Sequence, residues 1–277
     1  MFQLFTYQHC PISYRVIGQG KPVLLLHGFG EDSQIWHHQI QFLTPYCQLI
    51  VPNLPGTGLS PNVADTQAVL SVASSIDAIA GAMLALLEEI KINQPVTVLG
   101  HSMGGYVALA MARQQPATIG ALGLVHSTAF ADSEAKKVMR QKAIQFISEK
   151  GGNAFMQTAI PSLFSDKYNA LHPEKVAELV EAATHFSPKV LAAYYVAMMN
   201  RPDCTDVLSH LGKPILFVMG TEDKAVPMAD VLQQTHLPGI AFVQVLPGVA
   251  HMGLWEQPEA INEILLNFLT EAALFTP

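Results

Sequence analysis

The chain has 277 residues, of which 50% are hydrophobic and 13% are charged, and its formal net charge is −7. This composition predicts a large buried core and excludes a mainly disordered chain, and the length suits one α/β domain or a core domain with an insertion. The negative charge, with no basic cluster to offset it, argues against binding to nucleic acid or to an anionic membrane surface. A small neutral or apolar substrate is the partner that we expect.

The cysteines and the N-terminal segment indicate the compartment. Cys10, Cys47 and Cys204 are odd in number and widely spaced, which predicts reduced thiols and neither a disulfide framework nor a metal site. Residues 1–10 lack the basic segment and long apolar stretch of a signal peptide. No run of about 18 uncharged apolar residues predicts a membrane span. We therefore expect a cytoplasmic location.

Strands and helices alternate in the first half of the chain. Short apolar runs and hydrophobic alternation predict strands, and apolar residues at helical spacing predict helices. Their order predicts a mostly parallel sheet with helices on both faces. The predicted strands are residues 2–7, 12–17, 22–26, 47–52, 96–100 and 121–125, and the predicted helices are residues 33–43, 75–90 and 104–114.

The alternation stops after the sixth predicted strand. Only helical patterns occupy residues 127–211, and strands resume at 215–219 and 240–246. We predict an α/β core from residues 1–126 and 212–277, with an all-helical cap at residues 127–211 inserted after the sixth strand. The helices predicted in this half are residues 132–150, 173–186, 187–199, 228–235 and 259–270.

A serine lies at the junction between a predicted strand and a predicted helix. Ser102 has Gly100 two residues before it and Gly104 two residues after it. A sharp strand-turn-helix junction strains the central residue, and side chains larger than glycine would clash around it. The serine hydroxyl is then exposed at the positive end of a helix. The alternative, a glycine-rich turn that happens to contain serine, is disfavoured by this context.

A nucleophilic serine needs a base, and the base needs a group that orients it. Among eleven histidines, His251 follows the strand at 240–246, at the edge of the sheet where such folds bind ligands. Asp223 is an acid on the loop after the preceding strand, and Glu222 is a competitor that chemistry does not exclude. The chain order Ser102, Asp223, His251 matches one hydrolase architecture and differs from two well-known protease orders.

Acyl transfer also needs hydrogen-bond donors for the oxyanion. We assign the backbone N–H of Met103, directly after the serine, as one donor. The N–H of Phe29 is the second, since it lies in HGFG at residues 27–30, after the first buried parallel strand. His27 fits a role in fixing this loop by hydrogen bonding better than a role as base. His101 fits packing better than catalysis.

With these motifs the chain resembles the α/β-hydrolase superfamily along almost its whole length. The similarity is to small bacterial serine esterases, enol-lactonases and carbon–carbon bond hydrolases with a helical cap after the sixth strand. It implies Asp223 as the acid, because the acid of the family lies three residues past the glycine of that loop. The motifs are HGFG at 27–30 with Trp36, NLPGTGLS at 53–60, GHSMGG at 100–105, GTED at 220–223, and His251 with GLWEQPE at 253–259.

Three details qualify the resemblance. The loop after the fourth strand usually begins with aspartate and carries histidine between its glycines, whereas this chain has Asn53 and Thr57. Neither is a triad position, so the departure concerns loop packing. Serine at the elbow separates the chain from haloalkane dehalogenases and epoxide hydrolases, which use aspartate there. HGFG also resembles the start of sensor-type hydrolases, which keep a triad yet serve as signalling partners or hormone receptors.

The sequence therefore predicts a serine hydrolase that cleaves a small ester through an acyl-enzyme, with no metal or other cofactor. The alternatives are a slow sensor-type hydrolase, a lactonase and a carbon–carbon bond hydrolase. Arg201 fits a structural ion pair as well as it fits a substrate carboxylate. The candidate pocket residues are Phe130, Tyr194, Met198 and Met252, although such residues at helical spacing more often form the core of a cap.

Overall fold

The structure of the protein is a computed structural model that describes residues 1–58 and 61–275. Leu59 and Ser60, the last two residues of the loop motif at 53–60, lie outside the described residues. The same holds for residues 276–277 at the end of the predicted core domain.

One sheet organises the described part of the chain. Its strands are β1 (Gln3–Tyr7), β2 (Cys10–Ile17), β3 (Pro22–Leu26), β4 (Gln48–Pro52), β5 (Val96–His101), β6 (Ile119–Val125), β7 (Ile215–Gly220) and β8 (Ala241–Leu246). They lie in the order β1-β2-β4-β3-β5-β6-β7-β8. β1 and β2 form a hairpin and β2 runs antiparallel to β4, while the remaining neighbours are parallel. The carboxyl ends of β3 to β8 therefore meet along one edge.

The central strands are apolar because both of their faces are covered. All five residues of β3 are buried. Successive side chains of a strand point to opposite faces, so Leu24 belongs to one hydrophobic cluster and Leu25 to the other. The helices supply the other side of each cluster.

The helices are α1 (His37–Leu43), α2 (Pro61–Ala64), α3 (Gln67–Ala73), α4 (Ile76–Glu89), α5 (Met103–Gln114), α6 (Glu134–Lys150), α7 (Gly152–Ser162), α8 (Asp166–Leu171), α9 (Pro173–Ala183), α10 (Pro188–Asn200), α11 (Thr205–His210), α12 (Met228–Leu232), α13 (Gly253–Glu256) and α14 (Pro258–Ala272). Side-chain caps begin several of them. Ser133 accepts a hydrogen bond from Lys136 N at the start of α6, and Ser187 caps α10 with Pro188 at its first position.

A helical segment connects β6 to β7. Within residues 126–214, all of which the structure describes, the chain forms α6 to α11 and contributes no strand. The segment is attached to the part of the chain between β4 and α3, because the Tyr194 hydroxyl donates to the carbonyl of Pro55 at 2.8 Å and Ser187 hydrogen-bonds to Asp65. That residues 127–211 act as a cap stays a prediction.

The predicted elements differ from the observed ones mainly where a helix is short. Residues 33–43 form a 3₁₀ turn (Ser33–Trp36) followed by α1, where one continuous helix was predicted. The sequence did not indicate α7, although it has 11 residues like α9, because few of its side chains are buried and its last turn contains Pro161. The shorter helices that were also missed, α2, α3, α8, α11 and α13, have too few turns for their hydrophobic spacing to stand out.

No single helix in the described ranges is both long and apolar enough to cross a membrane. Taken together, α3 and α4 meet the length and composition criteria, but a bend of 104° separates them.

The packing of α14 against the sheet gives a stability prediction. Phe268 is 1% exposed, and its ring meets the Phe242 ring edge to face with 5.3 Å between centroids. Phe268→Ala should lower the free energy of unfolding by about 3–5 kcal/mol, because the cavity adds to the lost burial. Phe275→Ala, at a position that is 50% exposed, should change it by less than about 0.5 kcal/mol. Urea denaturation followed by circular dichroism measures both, and equal midpoints would contradict the prediction.

Candidate active site

Ser102 occupies the junction between β5 and α5 in a strained conformation. Its φ is 50° and its ψ is −116°, a region that residues other than glycine rarely adopt. Two hydrogen bonds hold it there: Ser102 N donates to the carbonyl of Val125 at 2.9 Å, and the Ser127 hydroxyl donates to the carbonyl of Ser102 at 2.7 Å. Residues at and just after the end of β6 therefore hold Ser102 in its strained conformation.

The glycines around Ser102 are required by close backbone contacts. A Cβ on Gly100 would lie 2.4 Å from the backbone of Gly104. A Cβ on Gly104 would lie 2.2 Å from the carbonyl oxygen of Leu26 at the end of β3. Larger residues at either position would push α5 away from the sheet and move the serine with it.

The structure brings Ser102, His251 and Asp223 into one hydrogen-bonded row. Ser102 Oγ lies 2.9 Å from His251 Nε2, and His251 Nδ1 lies 2.9 Å from Asp223 Oδ2. Because an ionised carboxylate only accepts, Nδ1 carries the proton of the neutral ring and Nε2 is free to accept from the serine hydroxyl. Asp223 and His251 are buried, whereas Ser102 is half-buried and can be reached from outside.

Asp223 is held on both of its oxygens. Oδ1 accepts from the backbone N–H groups of Ala225 and Val226 at 2.9 and 2.8 Å, and Oδ2 accepts from His251 and also from His126, at 3.1 Å. Burial by itself would raise the pKa of Asp223, but the charge of His251 and these hydrogen bonds outweigh burial and lower it. The carboxyl group is therefore ionised.

The other acid of this loop does not reach His251. Glu222 is exposed, and its backbone N–H donates to the carbonyl of Val249. The side chain of Glu222 is exposed and that of Asp223 is buried, a difference that the chemistry of the two acids does not predict.

The sequence analysis missed His126, which directly follows β6. Its ring is fully buried, and its Nδ1 donates to Asp223 Oδ2. Burial is the main cause that lowers the pKa of His126 to about 4, so the ring is neutral near pH 7. The available signal was its place at the carboxyl end of a buried parallel strand, the edge that also carries Ser102, Asp223 and His251.

A second missed group is Glu31, which forms a buried pair with His101. His101 Nδ1 lies 3.0 Å from Glu31 Oε2, and His101 Nε2 lies 3.1 Å from the carbonyl oxygen of His251. Both partners are acceptors, so both ring nitrogens donate and the ring is an imidazolium. Burial lowers the pKa of His101, but the charge of Glu31, together with the hydrogen bonds to Glu31 and to the carbonyl of His251, outweighs burial and raises it. His101 thus supports the backbone of His251.

The predicted oxyanion donors lie on either side of Ser102. Within the described residues, neither the Phe29 N–H nor the Met103 N–H has a hydrogen-bond partner. A Cβ on Gly28 would lie 3.1 Å from the Cβ of Ser102, which places the loop after β3 directly against the serine. Both N–H groups are therefore free to bind a ligand oxygen.

Hydrogen bonds of the side chain of His27 fix the loop after β3, which is the role predicted for His27. His27 Nδ1 donates to the carbonyl of Gly28 at 2.9 Å, and Nε2 accepts from Leu54 N at 2.9 Å. Thr57, at the position where the family usually has histidine, lies 3.0 Å from His27 Nε2. Asn53 accepts from Ser33 N, so the loop after β4 braces the loop after β3.

Three residues of the site have the chemistry of metal ligands. The side-chain ligand atoms of His126, Asp223 and His251 lie within 4.8 Å of one another. Both imidazoles place Nδ1 on the same Asp223 oxygen at hydrogen-bond distance, and a cation there would have to replace both protons. The donor set fits a hydrogen-bonded relay better than a metal centre, and the absence of a cofactor stays a prediction.

A small apolar cavity of about 60 Å³ adjoins the oxyanion loop. Phe29 and Ile35 line it from the core, and side chains from α7, from α9 and from the residues directly after each line it from the helical segment. Met252, next to His251, completes the wall. Glu31 and Asp32 are the ionisable groups of the lining, and no basic side chain belongs to it.

The other predicted pocket residues lie away from this cavity. Tyr194 and Met198 are buried in the hydrophobic cluster beneath α10. Phe130 is half-buried, and its carbonyl accepts from Arg201. Arg201 also pairs with Asp132 at 2.7 Å, which is the structural role that the sequence left open. Met252 is therefore the member of the predicted set that lines the cavity.

The geometry agrees with what the sequence matches. Residues 23–264 match the model of the alpha/beta hydrolase family. The chain belongs to this family. A putative carbamate hydrolase, RutD of Agrobacterium fabrum, is 25% identical over 271 residues, covering 95% of this chain and 98% of the relative.

Solved structures of this family superpose closely. A thermophilic esterase from Thermogutta terrifontis has a TM-score of 0.89 and 27% identity, over 98% of this chain and 99% of the esterase. The enol-lactonase from Burkholderia xenovorans LB400 shares the fold, with a TM-score of 0.84 and 20% identity over 97% of this chain and all of that one (100%). The predicted family and α/β-hydrolase fold are confirmed, as is the prediction that the chain is a hydrolase.

The Glu31–His101 pair gives a pH-dependent stability prediction. The lowered pKa of Glu31 adds stability above its usual value of 4.5, which is lost as the pH falls. The raised pKa of His101 adds stability below 6.5, which is lost as the pH rises. Glu31→Gln should therefore destabilise most between pH 4.5 and 6.5, by about 3 kcal/mol, because it leaves a buried cation without its counter-charge.

Chemical denaturation of the native protein and Glu31→Gln at several pH values measures this difference. Lys137→Gln, which removes an exposed pair with Glu134, is the control and should have a small effect at every pH. A difference between the native protein and Glu31→Gln that grows from pH 6.5 to 9 would contradict the prediction.

Proposed function

We propose that the protein is a serine hydrolase that cleaves a small ester, with Ser102 as nucleophile, His251 as base and Asp223 as the acid that orients the base. The observation that supports this most strongly is the row of two 2.9 Å hydrogen bonds from Ser102 Oγ through the His251 ring to buried, ionised Asp223. The similarity to an esterase and to a putative carbamate hydrolase supports a carbonyl substrate with a heteroatom leaving group.

The first step acylates the serine. His251 Nε2 takes the Ser102 proton as Oγ bonds to the substrate carbonyl carbon, and Asp223 stabilises the imidazolium that forms. The N–H groups of Phe29 and Met103 bind the oxygen that becomes negative. The bond to the alcohol oxygen then breaks, and His251 gives its proton to the departing alcohol.

The second step uses the same groups on water. His251 takes a proton from a water molecule as the water oxygen attacks the acyl carbon of the acyl-enzyme. The tetrahedral intermediate is bound by the same two N–H groups. The bond to Ser102 Oγ breaks, the serine recovers its proton from His251, and the carboxylic acid leaves.

The cavity beside the oxyanion loop supports a neutral, apolar substrate group. Its walls are mostly apolar, its ionisable lining groups are Glu31 and Asp32, and Arg201 is already committed to Asp132. A carboxylate in this cavity would meet the acid Asp32 and would find no cation in the lining, since Glu31 is already paired with His101. Because α7, α9 and the residues after each form one wall, we also propose that residues 127–211 act as the cap that selects the substrate.

Substitution of the nucleophile tests the proposal. Ser102→Ala should lower kcat by about 10⁴-fold or more, since it removes the atom that is acylated. Turnover of p-nitrophenyl esters from acetate to laurate measures the loss, with circular dichroism to verify folding. Ser209→Ala is the control and should keep the activity, because its exposed hydroxyl donates only to the carbonyl of Thr205 within α11, away from the site.

Retention of most activity by Ser102→Ala would overturn the assignment of the nucleophile. The same panel separates the alternatives, because a lactonase or a carbon–carbon bond hydrolase would turn over its own substrate class far faster than any of these esters. A sensor-type hydrolase would show very slow turnover throughout and tight binding of one ligand.

The acid is tested by a matched pair on the same loop. Asp223→Asn should lower kcat by about 10⁴-fold, because an amide neither stabilises the imidazolium nor fixes its tautomer. Glu222→Gln should change kcat by less than about twofold, because its side chain is exposed and does not touch His251. Steady-state kinetics at the pH optimum compares them, and the reverse pattern would assign the role to Glu222.

A further inference from the structure

His126 combines three unfavourable features at one position. Its φ is 49°, in the region that side chains rarely adopt. Its ring is fully buried, and its Nε2 has no hydrogen-bond partner among the described residues. A Cβ on Gly253 would lie 2.3 Å from Nε2, so this edge of the ring packs against a glycine where no side chain would fit. The positive φ, the burial of a polar ring and its unpaired nitrogen each destabilise the fold.

In this conformation the His126 side chain makes one hydrogen bond, to Asp223. His126 Nδ1 lies 3.1 Å from Asp223 Oδ2, the same oxygen that accepts from His251 Nδ1 at 2.9 Å. The ionised carboxylate can only accept, so Nδ1 carries the His126 proton and Nε2 bears the unused lone pair. With the two backbone donors on Oδ1, Asp223 accepts four hydrogen bonds, which is its full capacity.

We propose that His126 is a positioning residue of the candidate active site: it locks the Asp223 carboxylate in place and limits how strongly that carboxylate stabilises protonated His251. The inference rests on the proposed function and adds a fourth side chain to it. His126 acts through Asp223 and does not touch the reacting atoms.

The expected direction of the change in pH dependence follows because His126 and His251 donate to the same oxygen of Asp223. A hydrogen bond from His126 draws charge from Asp223 Oδ2 and leaves a weaker partner for the imidazolium of His251. Without that donor, protonated His251 is stabilised, and a higher pH is needed to form the active base. The acid limb of the kcat/KM profile should therefore move to higher pH.

Other ionisable groups face the same pair and stay constant in the test. The His101 ring lies 5.2 Å from the His251 ring, and Glu31 lies behind His101 on the loop after β3. From α13, Glu256 accepts from Ala250 N, one residue before His251. Only the group on the side of β6 changes in the test, the His126 ring itself, which lies 5.9 Å from the His251 ring.

Two variants of equal shape separate the hydrogen bond from packing. His126→Asn tolerates a positive φ and keeps an N–H group near the place of Nδ1, whereas His126→Leu has the same branching and no donor. For His126→Leu we expect the acid limb to rise by about 0.5–1 pH unit and the kcat plateau to fall roughly tenfold. For His126→Asn, both should stay near those of the native protein.

A merely structural role would give a different result. It would lower the melting temperature of both variants and leave the acid limb of each where it is in the native protein. An unchanged acid limb in a folded His126→Leu variant would overturn the proposal, and so would an equal shift in His126→Asn.

A measurement without substrate keeps the proposal independent of activity. In protein labelled with ¹⁵N-histidine, the signals missing from His126→Asn identify His126. They should report a neutral ring with its proton on Nδ1 from pH 5 to 8, because burial lowers the pKa of this ring to about 4. A proton on Nε2 would overturn the proposal even if His126→Leu did not fold. If the native protein hydrolyses no ester yet shows this tautomer, the proposed function fails and the contact with Asp223 stands.

Discussion

The buried negative charge of Asp223 is the interaction on which the arrangement of the site depends. A carboxylate out of water must be fully hydrogen-bonded, and Asp223 receives its four donors from its own loop, from the end of β6 and from the loop after β8. These donors converge only because β6, β7 and β8 are adjacent and parallel. The order of the strands therefore determines which donors stabilise the charge of Asp223.

A steric constraint connects the other half of the site to the same edge. Gly104 at the start of α5 packs against the carbonyl of Leu26, and Gly28 lies against Ser102, so α5 approaches the end of β3 at a distance that only glycine at 104 permits. The Glu31–His101 pair crosses this junction and continues to the carbonyl of His251. The loop after β3, the serine and the histidine are therefore fixed relative to one another by backbone contacts and a buried ion pair.

Much of this could be predicted from local patterns. β3 is an uninterrupted apolar run between glycine-containing turns, and the helical spacing of α4 repeats over 14 residues, so both elements follow from the sequence to within a residue or two. The short helices were missed because a few residues carry little periodicity. Tyr194 and Met198 were candidate pocket residues, but they pack in the core, since helical spacing shows which side is apolar and not what covers it.

The sequence by itself determined the parallel architecture, the strained turn at Ser102 and the candidates Asp223 and His251, because glycine spacing and chain order are local properties that need no coordinates. Only the tertiary structure placed Asp223 against His251, left Glu222 exposed, and revealed Glu31 and His126 as partners of these residues. Glu31 pairs with a residue 70 positions away, and His126 with one 97 positions away. No local pattern encodes such a contact, because it depends on which strands lie side by side and which loops meet at their ends.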